Sequence, residues 1–124
     1  MVDDVIPDDV RDFILRHIDS VAQLEALLLL RANSTENWDV ARAASRLYSS
    51  EEQINAVLTQ LCADGLLSHK ADVYRYECPP ETKTTVDRLA DAYRRHLIPV
   101  TNAIHTKPSR IREFANAFKF RKDP

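Results

Sequence analysis

Four histidines, two cysteines and two pairs of adjacent aspartates are the residues of this sequence best suited to catalysis or metal binding. A zinc site needs closely spaced ligands in a recognisable pattern, usually four of them. His17, His69, His96 and His105 are scattered, with no paired histidine one turn away and no C-x-x-C motif. Cys62, His69 and Cys78 do not make up a zinc spacing, and no fourth ligand accompanies them. Cys62 directly follows the apolar Leu61, and Cys78 falls on the same strand face as two tyrosines, so both read as small buried hydrophobes. Asp3-Asp4 reads as an acidic end and Asp8-Asp9 as a helix start, where carboxylates face the positive end of the helix dipole. A phosphate-cradling loop needs several glycines, and the chain has a single one, Gly65. No nucleophile–base pair stands out. The expectation is a protein without a metal, a cofactor or an enzymatic activity.

Composition narrows the class further. The chain has 124 residues, 44% hydrophobic and 29% charged, ordinary values for one soluble domain with a real core. One glycine in that length argues for helices and against an all-β fold. LEALLLL at Leu24–Leu30 is too short to span a bilayer, and the acidic MVDDVIPDD start does not resemble an export signal. With two cysteines and no such signal, a reducing cytoplasm is expected. Net charge is −2, but it is segregated: residues 1–64 hold 5 Lys/Arg against 12 Asp/Glu, and residues 65–124 hold 12 against 7. Two readings of this remain open. The helix faces of opposite sign can be solvated and attract each other, or the basic second half can form a surface for an acidic partner such as DNA.

The elements that would carry these residues are mostly helical. Pro7-Asp8-Asp9 opens a first helix whose buried face is Val10, Phe13, Ile14 and Ile18. Ser20 with Gln23 and Ser50 with Gln53 are capping-box pairs, each predicting a helix start. The helix from Val21 to about Ala32 is apolar on most sides, as a central helix should be. After the polar NSTEN turn and Trp38, Asp39 caps a short helix over Val40–Leu47. The next helix, from Ser50, repeats Ile54, Val57, Leu58 and Leu61 at i, i+3, i+4, i+7. Gly65 supplies the left-handed turn that ends it. Leu66–Lys70 and Val73–Glu77 then form a hairpin around Ala71-Asp72, with Tyr74, Tyr76 and Cys78 on one face. A long helix is predicted from about Thr82 to Ile104, kinked near Arg95–Leu97 or split there by Pro99. A last short basic amphipathic helix follows Pro108-Ser109.

WDVARAASRL, SSEEQINAVLTQL, ADGLL and VYRYE, in that order, resemble the winged helix-turn-helix superfamily, in its bacterial transcriptional-regulator form with an appended C-terminal helix. The resemblance covers about Val21 to Cys78. It implies a mainly α fold with a small β-hairpin wing, divided as 1–80 (winged-helix domain with an N-terminal helix over 7–18), 81–106 (long C-terminal dimerisation helix) and 107–124 (basic tail). It also implies that helix 50–64 lies in the DNA major groove. The contact candidates are then Ser49, Glu52, Asn55 and Thr59 on that helix, Arg42 and Arg46 before it, and His69, Lys70 and Arg75 on the hairpin. Asn55 suits an adenine and Glu52 a cytosine amino group. Two features depart from the pattern. Segment 50–64 has no Lys or Arg but carries Glu51, Glu52 and Asp64, against the usual attraction to phosphates. The hairpin tip, only Ala71-Asp72, is blunt.

Val86, Ala90, Tyr93, Leu97, Val100 and Ile104 are spaced as an a/d seam. Such a seam either pairs two copies into a homodimer or packs on the Leu24–Leu30 helix of its own chain. In the tail, Ile111, Phe114, Phe118 and Phe120 mix with basic residues. They would pack back on the domain or its dimer mate, dock on a partner protein, or touch a membrane surface weakly. The leading expectation is a cytoplasmic, dimeric, DNA-binding regulator. The alternative is a winged-helix adaptor that no longer binds DNA and docks a protein partner through residues 107–124.

Overall fold

The computed structural model describes residues 5–107. Six helices and one hairpin follow in the order α1 (Asp8–His17), α2 (Val21–Ala32), α3 (Val40–Leu47), α4 (Glu51–Ala63), β1 (Leu67–Lys70), β2 (Val73–Tyr76), α5 (Pro80–Arg95) and α6 (Leu97–His105).

Local chemistry accounts for most of the boundaries. Ser20 Oγ accepts from the Gln23 N–H at 3.1 Å, and Ser50 Oγ from the Gln53 N–H at 3.1 Å. Asp39 Oδ1 accepts from the Arg42 N–H at 2.7 Å. All three satisfy helix N–H groups that have no carbonyl partner. In the first box the return arm lands one residue early: Gln23 Oε1 accepts from the Asp19 N–H at 2.7 Å. At the end of α4, Gly65 adopts φ 79°. The Leu66 N–H then reaches back to the Leu61 carbonyl at 3.0 Å, the closing bond of a Schellman turn.

β1 and β2 pair antiparallel from Leu67↔Tyr76 to Lys70↔Val73. Ala71 and Asp72 both have positive φ, 52° and 66°, as a two-residue hairpin of this twist requires. Trp38 adds a third, one-residue strand. Its N–H donates to the Tyr74 carbonyl at 2.9 Å, and the Tyr74 N–H returns to the Trp38 carbonyl at 2.7 Å. The wing is therefore tied to the segment just before α3.

One hydrophobic cluster joins every helix. Val10 and Ile14 of α1 meet Leu24, Leu27 and Leu30 of α2, Ile54, Leu58 and Leu61 of α4, Val86 and Leu89 of α5, and Val100 and Ile104 of α6. Trp38 and Ile18, both outside the helices, are fully buried within it. The C-terminal helix predicted over Thr82–Ile104 is two helices. Its chain breaks at His96 (φ −135°, ψ 59°), and α6 restarts with Pro99 in its first turn, where the missing N–H leaves no hydrogen bond unmade.

That break changes how the seam residues are used. Val86, Val100 and Ile104 are buried in the core of their own chain. These three side chains are therefore spent internally and cannot face a second copy in this conformation. Ala90 and Tyr93 are half-buried, and the Tyr93 hydroxyl donates to Glu25 Oε2 on α2 at 3.0 Å. Leu97 alone of the set is well exposed, at 51%, next to Ile98 at 63%. Lys107, which the sequence places at the head of a basic tail, is instead 4% exposed. Its Nζ donates to the Ile18 carbonyl at 2.8 Å and to Asp19 Oδ1 at 2.6 Å, pinning the end of α6 to the α1–α2 junction. Ile111, Phe114, Phe118 and Phe120 lie outside the described residues.

Candidate nucleic-acid interface

α4 is held by its apolar stripe, Ile54, Leu58 and Leu61, and leaves its opposite side exposed. Glu52, Asn55 and Thr59 stand on that exposed side. Asn55 shares a cleft of about 350 Å³ with Asp39, Val40 and Ala41 at the start of α3 and with His69, Asp72 and Tyr74 of the hairpin. The fold thus gathers two other stretches of sequence around Asn55 of α4. His69 is fixed there by stacking on the Tyr74 ring, 4.1 Å between centroids and 3° from parallel.

The cations are distributed less favourably. Arg42 lies over the buried Trp38 ring, 3.9 Å from its centroid. Its guanidinium also donates to Glu36 and to the Asn37 carbonyl. It therefore acts as a lid on the tryptophan, a cation–π contact reinforced by an ion pair. Arg75 donates to the Thr35 carbonyl at 3.2 Å, bracing the wing against the turn before Trp38. Arg46, 5.6 Å from the same indole, and Lys70 have no carboxylate partner among the described residues. Ser49 is half-buried, and its hydroxyl donates to the Leu47 carbonyl. Two of the four arginine and lysine candidates are therefore committed internally, while Glu51 and Glu52 occupy the first turn of α4 and Asp39 and Asp72 line the cleft.

One residue of this face was not among the sequence candidates. Tyr48, between α3 and α4, is 97% exposed. Its left-handed backbone arises only when α3 must end and α4 begin within three residues, and no single-residue pattern announces it.

The reactive side chains stay apart. Among the described residues no three His, Cys, Asp or Glu side chains are grouped so as to hold a metal ion. Cys62 and Cys78 are free thiols, packed against the core but half-buried, where full burial was expected. Burial pushes the Cys78 thiol up, away from the thiolate that nucleophilic chemistry needs, and burial likewise raises the neighbouring Tyr76 hydroxyl. No helix among the described residues is long and apolar enough to cross a membrane.

A helix pair closed by a turn, with its second helix exposed beside a β-hairpin, defines the winged helix-turn-helix class. Consistent with that, the chain is similar to the crystal structure of a transcriptional regulator of the MarR family from Silicibacter pomeroyi. The TM-score is 0.52 at 18% sequence identity, over 91% of this chain and 77% of that one. The likeness is one of fold. No protein-family model matches the chain, and no curated protein matches it either.

Proposed function

We propose that this protein is a winged-helix transcriptional regulator that binds DNA through α4 and the hairpin and performs no catalysis. The observation that supports this best is the exposed side of α4, where Asn55 and His69 share one cleft while the opposite side is locked into the core. A rigid helix presenting short polar side chains beside a wing is suited to reading base edges. Phosphate attraction would be weak. Of the four candidate cations, Arg46 and Lys70 form no ion pair among the described residues, whereas Arg42 and Arg75 support the scaffold.

The test is a titration of the full chain against genomic fragments over a range of salt concentrations. Each neutralised phosphate contributes about −0.9 to the slope of log affinity against log salt. If Arg46 and Lys70 each neutralise one phosphate, the slope should be about −2 per copy. Absence of binding at low salt rejects the reading. A slope several times steeper would move the main phosphate contacts to basic residues other than these two.

We assign the homodimer to Leu97 and Ile98, the exposed apolar pair at the α5–α6 break, in place of the inward members of the heptad. Leu97→Asp with Ile98→Asp should halve the mass seen by light scattering without unfolding the chain.

A second reading is favoured by one feature, the acids and missing cations of α4. On it the protein is an adaptor whose partner docks on the tail. Truncation is best placed after Lys107, because Lys107 is part of the folded core. Loss of the partner in the truncated chain, with no DNA binding by the intact one, selects the adaptor.

A further inference from the structure

α3 and α4 are joined by a Schellman turn. The Ser49 N–H donates to the Ala44 carbonyl at 3.0 Å, and the Tyr48 N–H to the Ser45 carbonyl at 3.4 Å. Tyr48 fills the left-handed position, with φ 55° and ψ 42°. Glycine is the usual occupant of that position, because a Cβ crowds the backbone there. The protein uses its one glycine at the matching place after α4 and a tyrosine here.

The backbone bonds of the turn would form with glycine as well, and no contact of the Tyr48 side chain adds to them. The residue is 97% exposed, and its hydroxyl has no partner among the described residues. Trp38, Tyr74, Tyr76 and Tyr93 are by contrast all buried or half-buried. A large ring held in solvent on a disfavoured backbone stabilises nothing in this chain. Its position points to a role outside it, since it lies just before the N-terminal end of α4 and follows Arg46, which forms no ion pair among the described residues, by two residues.

We propose that Tyr48 contacts the DNA backbone at the entry of α4, its hydroxyl donating to a phosphate oxygen and its ring covering the adjoining sugar. This rests on the DNA-binding reading above. Tyrosine hydroxyls are among the donors that fix register on the duplex without reading sequence. A neutral donor suits a face whose first helical turn carries Glu51 and Glu52. It gains a phosphate contact without forming an internal ion pair with those carboxylates.

The experiment compares wild type, Tyr48→Gly and Tyr48→Phe as full chains, each titrated against one pool of genomic fragments and melted in the same buffer. Tyr48→Gly should bind about tenfold more weakly, and equally so across fragments, because a hydrogen bond to a charged group is lost. It should melt no lower than wild type, since glycine relieves the left-handed backbone. Tyr48→Phe keeps the ring but removes the same donor, so it should also lose about tenfold in affinity. Equal affinity of wild type and Tyr48→Gly overturns the inference and leaves the DNA reading standing. A lower melting temperature for Tyr48→Gly also overturns it, by showing that the ring supports the fold. If wild type binds no fragment at low salt, the DNA reading itself fails, and Tyr48 as a phosphate contact fails with it.

Discussion

Two helix ends bracket α4, and they solve one geometric problem with opposite residues. α3 closes on Tyr48 at φ 55° and α4 closes on Gly65 at φ 79°. Both turns bring a backbone N–H back onto carbonyls of the last helical turn. Gly65 meets the demand at the least steric cost and opens onto the wing. Tyr48 meets it against its own Cβ, with its ring in solvent. The difference is that the second turn uses the residue its backbone favours, whereas the first carries a large side chain that packs against nothing in the fold.

Both turns hang on α4, so the largest expected effect comes from loosening that helix. Leu58→Ala removes a fully buried side chain from the inward stripe of α4. It should cost roughly 3 kcal/mol in a urea titration. A loss below about 1 kcal/mol would mean that α4 is not rigidly seated, and the two turns could not be compared as ends of one rod. Gly65→Ala is next. No atom lies within 4 Å of where its Cβ would stand, so any loss is a pure backbone penalty. It should be roughly 1–2 kcal/mol. If Gly65→Ala proves neutral, left-handed strain is cheap in this protein, and the unusual cost ascribed to Tyr48 disappears. Ser50→Ala removes the cap two residues after Tyr48 and should cost about 1 kcal/mol. A larger loss would show the α3–α4 turn to be held by its cap more than by its Schellman bonds.

The same contrast separates what could be read from the chain from what could not. Ser20, Ser50, Asp39 and Gly65 announced their helix ends because capping is decided within four residues. Ala71-Asp72 announced the hairpin for the same reason. The winged helix-turn-helix architecture was legible because its helices carry strong apolar stripes and its punctuation is local. Tyr48 was illegible: its backbone is set by how two helices must be joined, which no residue type encodes. The heptad of Val86, Val100 and Ile104 correctly marked apolar positions but said nothing of whose surface covers them. Lys107 shows the same limit, a tail cation by sequence and a buried clasp on Ile18 and Asp19 in three dimensions. The cations of the candidate site were visible as residue types. Their commitment to Trp38, Glu36 and Thr35 is tertiary, and so was not.

A tyrosine of the opposite kind supplies the smallest effect and a control for Tyr48. Tyr93 is half-buried between α5 and α2, and its hydroxyl donates to Glu25. Burial, and then the Glu25 carboxylate, push its pKa up to about 12. In the unfolded chain the same hydroxyl ionises near 10. As pH rises past 10 the unfolded state therefore loses this proton first, and stability falls until the folded state also ionises near 12. The contribution is fully present below pH 10 and declines only on the alkaline side. Tyr93→Phe should flatten the stability profile over that window while changing the neutral-pH midpoint by less than about 1 kcal/mol, the scale of one exposed hydrogen bond. Tyr48→Phe removes a hydroxyl with no partner among the described residues, so it should change stability at neutral pH by less than Tyr93→Phe does. If Tyr48→Phe costs as much as Tyr93→Phe, the Tyr48 hydroxyl is engaged within the fold and its contrast with Tyr93 is lost.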